Sequence, residues 1–253
     1  LPMGVYDIIV FNRSFNDFSN IAFRGNSYET LEAYARKVET RVDKKTRVET
    51  RTIISSPDEL AAATLEGFTV TEDMLGNYSQ TTYGRTAPSR SSEETPDGLY
   101  HLHFVPKKLT REVSAVLHIE GLNNIRSATC RLGGVAESIF LATGKTSANT
   151  VTQEFTPSNP EFSPGSPFNG TLSCEFEIFG LNVIDNNNLH LDALLVDGKT
   201  EFEGDCTNVK ITENDDGTGS VTLILEASTE KVPDVKPEGG AGSGFDVDVD
   251  GWG

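Results

Sequence analysis

The chain has 253 residues, 36% of them hydrophobic and 23% charged, with a formal net charge of −17 and a pI near 4.6. That is enough apolar material for packed cores and too little polarity for a disordered chain. The acidity argues against nucleic-acid binding and against anionic membranes, since both need a Lys/Arg excess.

The pattern in chain order is almost entirely that of β-structure. LPMGVYDIIVFN runs from a Pro/Gly loop straight into an apolar, β-branched strand at 5–11. So abrupt a start predicts that upstream sequence has been removed. SYETLEAYARKVE (27–39) mixes small and aromatic residues and reads as strand, as does TRVETRTIIS (46–55). SSPDELAAATLEG (55–67) reads as the one short helix. Ser56 would be its N-cap, Pro57 its first position, and Asp58 and Glu59 would favour the positive end of the dipole. Leu60, Ala61 and Leu65 would form its apolar stripe, and Gly67 its stop.

Residues 76–98 carry Gly, Ser, Thr and Pro without period and read as a long exposed loop. Strand pattern returns at 99–106, with Tyr100, Leu102 and Phe104 on one face and His101 and His103 on the other. Residues 107–122 form the clearest strand, where Val113, Ala115, Leu117 and Ile119 alternate with Ser114, Val116, His118 and Glu120. Further strands are expected at 127–135, 137–145, 170–180, 189–206 and 219–228. Asp197-Gly198 and Asp216-Gly217 suit hairpin turns. Short strands between regular turns predict an all-β chain of antiparallel sandwiches. The expected division is 1–105 for a first sandwich, 106–237 for a second, and 238–253 for a Gly-rich tether and acidic tail. Residues 232–244 read as a linker, stiff at Pro233 and Pro237 and slack through the glycines.

Little in the sequence points to catalysis. TGKTS (143–147) lacks the glycine that a phosphate loop needs five positions before Gly144, where Ile139 stands. His101 and His103 could hold a metal from one strand face, but two ligands do not close a site, and His118 is a candidate only by type. Neither a Gly-x-Ser-x-Gly elbow nor a His-Glu-x-x-His pattern occurs. Acidic neighbours such as Glu93 and Glu94 read as solvated turns, so no catalytic residue and no cofactor is expected. Cys130, Cys174 and Cys206 match no zinc spacing. They read as thiols on strands, with one bridge left open. No apolar run approaches the roughly 20 residues of a membrane-spanning helix, and no signal peptide is visible.

The tail GGAGSGFDVDVDGWG (239–253) admits two readings. Asp246, Asp248 and Asp250 could take the first, third and fifth places of a calcium loop, with Gly251 at the sixth. The twelfth-place acid would fall beyond Gly253, and the glycines before Phe245 cannot form the incoming helix. The aspartates are therefore weak metal candidates. As a strand, the tail puts Phe245, Val247 and Val249 on one face, with Trp252 following. Such a strand on a leash can add to an open sheet edge.

YDIIVFN, SNIAFRG, PDELAAATLEGFTV, KKLTREVSAVLHIEGLNNIRSATCRLGGVAESIFLATGKTS and DVKPEGGAGSGFDVDVDGWG together resemble the fimbrillin-like surface proteins of Bacteroidetes, in a branch catalogued as a domain of unknown function. The resemblance spans nearly the whole chain. It implies two transthyretin-like, Ig-like antiparallel β-sandwich domains, and export as a lipoprotein displayed on the outer membrane. It also implies pilus or fimbria assembly by strand donation. The partners so implied are other fimbrillin-like subunits or further copies of the chain. The chain lacks the signal and the lipidated cysteine of that pattern. The expected function is a non-enzymatic cell-surface structural or adhesive subunit, with Phe245, Val247, Val249 and Trp252 as the donated strand. The alternatives are a surface module binding glycan or host protein through loops 76–98 or 156–170, including Tyr78, Tyr83 and Phe162. A hydrolase with scattered acids is the third.

Overall fold

A computed structural model describes residues 1–42, 50–75, 93–94, 100–182, 187–215 and 221–237. The first strands are β1 (Gly4–Phe11), β2 (Ile21–Arg24), β3 (Glu32–Ala35), β4 (Lys37–Val42), β5 (Thr50–Ile54) and β6 (Ala61–Val70). A single helical turn, α1 (Glu72–Leu75), follows. Then come the two-residue strands β7 (Glu93–Glu94), β8 (Tyr100–His101) and β9 (Lys107–Lys108). The later strands are β10 (Arg111–Glu120), β11 (Ile125–Ala136), β12 (Ser138–Phe140), β13 (Thr150–Phe155), β14 (Asn159–Phe162), β15 (Asn169–Ile178), β16 (Leu189–Leu195), β17 (Glu201–Asp205), β18 (Thr207–Asp215) and β19 (Val221–Ser228).

Two large sheets form an all-β sandwich. One runs β14-β15-β10-β19-β18 and the other β17-β16-β11-β13-β5-β4. Their inner faces are set by period-2 alternation. Val113, Ala115, Leu117 and Ile119 of β10 are buried, as are Leu189, Leu191, Ala193 and Leu195 of β16. Phe155 of β13 stacks on Phe176 of β15 with ring centroids 4.3 Å apart, joining the two sheets. Two pairings are parallel, β10 with β19 and β13 with β5, where the sequence pattern suggested antiparallel order throughout. Their partners are far apart in sequence, so no hairpin turn announces them.

The earlier strands are sewn to the later ones. β3 pairs with β12, β5 with β13 and β6 with β9, so three pairings among the described residues cross the expected boundary at 106. The backbone N–H groups of Leu109 and Thr110 both donate to the carbonyl of Leu60, which is fully buried. The sheet β1-β6-β9 and the sheet β12-β3-β2 complete the first half. Phe11, Phe15, Phe18 and Phe23 cluster there edge to face and stacked.

The helix expected over 55–67 is not formed. Residues 55–60 are irregular and 61–70 are strand β6, paired antiparallel with β1. Ala, Leu and Glu favour a helix only weakly, and a helix this short is marginal without packing. Pairing along β1 prevails, helped by Thr64, Phe68, Thr69 and Val70. Gly67 is a bulge, not a helix stop. It sits at φ +66°, where register slips between Tyr6 and Ile8, and its N–H donates to Asp7 Oδ1 at 2.8 Å. The strand expected over 99–106 is also shorter: among its described residues, 100–106, only Tyr100 and His101 pair, with Glu94 and Glu93.

Candidate functional site

The residues singled out as the donated strand, Phe245, Val247, Val249 and Trp252, lie outside the described residues. So do the weak metal candidates Asp246, Asp248 and Asp250, and the loop residues Tyr78 and Tyr83. His101, His103 and His118 are exposed and belong to no candidate metal cluster among the described residues. The three cysteines are unbridged. Burial pushes the Cys174 and Cys206 thiols up to about 11 and Cys130 higher still, so all three are protonated at neutral pH.

The proline-containing start of the expected 232–244 linker is anchored to the core. Val232 is buried, and its N–H donates to the Glu120 carbonyl at 2.9 Å. Asn124 Nδ2 donates to Asp234 Oδ1 at 3.0 Å, and Val235 packs against the core. A Cβ on Gly121 would come within 2.7 Å of the Val232 carbonyl, so this glycine lets the segment cross close to the backbone.

That crossing lies beside the β14 edge. The side chain of Leu122 reaches Gly170, whose missing Cβ leaves room for the backbone of Glu161 and Phe162. β14 is exposed at all four residues and, among the described residues, pairs only with β15. Phe162 is 48% exposed and Phe168 60%. The turn between them is pinned, because the N–H groups of Phe168 and Asn169 donate to Ser166 Oγ and that of Ser163 to the Asn169 carbonyl. Its aromatic rings are thus held out by an ordered turn. A second edge strand is β1, paired among the described residues only with β6; exposed Leu1 and Met3 precede it and exposed Val5 lies within it.

A third arrangement lies on the outer face of the six-stranded sheet. Cross-strand register aligns Glu154, Arg131, His190 and Asp205 in one row over β13, β11, β16 and β17. Asp192 and Glu203 face each other in the next row. Arg131 pairs with Glu154 and Asp192, and His190 lies between Asp192 and Asp205. His190, Asp192 and Glu203 are the residues that could hold a metal, since their ligand atoms lie within 4.8 Å of one another. Sequence reasoning passed over them. The signal was present: His190 and Asp192 alternate with leucines, Glu201, Glu203 and Asp205 alternate on the next strand, and Asp197-Gly198 joins the two.

The architecture defines an all-β sandwich protein with exposed sheet edges. Residues 1–156 match the family described as a domain of unknown function, DUF5119, and the chain belongs to that family. No curated protein sequence matches it. Among solved structures, the crystal structure of a candidate adhesin from Bacteroides ovatus ATCC 8483 is similar, with a TM-score of 0.50 and 16% sequence identity. The match covers 81% of this chain and 66% of that one, so the chain spans less than two thirds of the neighbour's length. At that identity the likeness is one of fold.

Proposed function

We propose that the chain is a non-enzymatic structural or adhesive subunit of the cell surface, fimbrillin-like and attached to the outer membrane. It assembles through β-strand addition by residues 245–253. The observation that carries this reading is the fold held in common with the candidate adhesin of Bacteroides ovatus. Two sheet-edge strands, β1 and β14, support strand addition, since among the described residues each is paired along one side alone. The test is deletion of 245–253. Chain-length distribution by size exclusion and electron microscopy should collapse to monomer, while the thermal melt stays unchanged. Polymers from the truncated chain equal to those of the full chain would sink strand donation by this tail.

One observation favours a second reading, a ligand-binding module: Phe162 and Phe168 are held exposed on an ordered hairpin. Exposed aromatic faces suit stacking on apolar or sugar-ring surfaces. Phe162→Ala with Phe168→Ala should then lower cell or glycan binding without changing assembly, whereas unaltered binding removes this reading.

A further inference from the structure

We infer that His190, Asp192 and Glu203 form a binding site for a divalent transition-metal cation of the zinc type, built on the outer face of the β16–β17 hairpin. This inference is independent of strand addition.

The argument starts from the imidazole. Nδ1 of His190 is 2.9 Å from Asp205 Oδ1, and Nε2 is 3.2 Å from Asp192 Oδ1. Both ring nitrogens therefore face carboxylates across the β16–β17 hairpin. With the N–H on Nδ1 donating to Asp205, Nε2 carries the lone pair that a cation would take, beside Asp192 Oδ1. An imidazole donating one N–H to a carboxylate and offering its other nitrogen is the arrangement by which proteins orient metal-ligating histidines.

The other two ligands are prepared in the same way. Arg131 holds Oδ2 of Asp192 from the neighbouring strand, leaving Oδ1 for the ion. Glu203 lies directly across from Asp192 in register, and like charges so placed are destabilising unless something neutralises them. Among the described residues Glu203 has no cationic partner of its own. Among the described residues the carboxylates of Glu154, Asp192, Glu201, Glu203 and Asp205 share this face with the guanidinium of Arg131. The alternation of the strands keeps all of them on the side opposite the leucine core, with access to solvent.

The donor set selects the class of ion. Imidazole nitrogen with carboxylate oxygens suits zinc and its neighbours, whereas calcium prefers six to eight oxygens. Metal–ligand distances near 2.0–2.2 Å require these atoms to close from their present spacing within 4.8 Å. Glu203 is exposed, so its side chain is free to supply that movement. Three protein ligands leave a further position for water. Bound metal would fasten edge strand β17 to β16.

The test uses the full chain in metal-free buffer, titrated with ZnCl2 and separately with CaCl2, and read by calorimetry and thermal melting. One zinc per chain should bind and raise the melting temperature, with calcium giving no such shift. His190→Gln and Glu203→Gln, checked for unchanged circular dichroism, should abolish the shift. Asp205→Asn should weaken zinc by about 10–100-fold, as loss of an orienting carboxylate does. Removal of 238–253 and replacement of Cys206 by Ser should leave binding intact. The proposal is overturned if the full chain binds no zinc at about 1 mM, or if binding survives His190→Gln. It is equally overturned if binding is lost with the tail or with Cys206, or if calcium binds and zinc does not.

Discussion

The two hairpins at opposite edges of the sandwich solve one problem in opposite ways. β17 ends the six-stranded sheet with Glu201, Glu203 and Asp205 outward, and β14 ends the five-stranded sheet with four exposed residues, Phe162 among them, and Phe168 projecting nearby. An edge strand left open invites indiscriminate pairing, and inserted charge is the usual deterrent. β17 has that deterrent. β14 is short and carries Pro160, which limits pairing, yet it keeps apolar surface in view. The difference teaches that one edge is closed by electrostatics while the other is left available for contact.

Three changes would break or sharpen this contrast. The largest effect should come from the core that both edges share. Phe176→Ala removes the ring stacked on Phe155 and should cost about 3–5 kcal/mol, read by denaturant melts, with both edges lost together. An unchanged melt would mean the two sheets do not depend on this contact. Next, Gly170→Ala should break one edge alone. The new Cβ would lie 2.2 Å from the Glu161 carbonyl and 2.8 Å from the Leu122 side chain. β14 must shift away, at a cost of about 1–3 kcal/mol. Amide exchange should rise across 158–163 and stay unaltered across 201–205.

The smallest effect is local to the acidic edge. Asp197 accepts from the backbone of Lys199 and Thr200 and from the Thr200 hydroxyl, closing the β16–β17 turn. Hydrogen bonds from the Thr200 side chain, then from the backbone, hold its carboxyl below the usual range. The support is therefore full above the ordinary carboxylate pKa and fades as pH falls through the lowered value. Asp197→Ala should speed exchange of the Thr200 amide several-fold at neutral pH, with no change in the global melt. Lowering the pH through that value should likewise reduce the protection of the Thr200 amide, measured against its intrinsic exchange rate, in the unaltered chain.

The legible parts of the fold were those with strict alternation. The β10 strand, with Val113, Ala115, Leu117 and Ile119 buried, follows directly from its pattern. The Asp197-Gly198 hairpin follows from turn chemistry. The 55–67 segment reads as helix because a credible cap and a run of Ala, Leu and Glu are local signals, while the pairing of β6 with β1 is not. The metal candidate was hidden for a related reason. His190 and Asp192 are neighbours of Glu203 and Asp205 only after the hairpin closes, and of Arg131 only after β11 pairs with β16.

The sequence by itself therefore determined the all-β class, the inward faces of its best strands and the turn at Asp197-Gly198, whereas Asp216-Gly217 lies outside the described residues. Each depends on residues adjacent in the chain. Tertiary structure alone decided the parallel pairings of β10 with β19 and β5 with β13, the anchoring of Val232 beneath Glu120, and the row of charges across the outer sheet. These depend on register between distant strands, and register is chosen by the burial of whole faces in the sandwich, which no short stretch of sequence encodes.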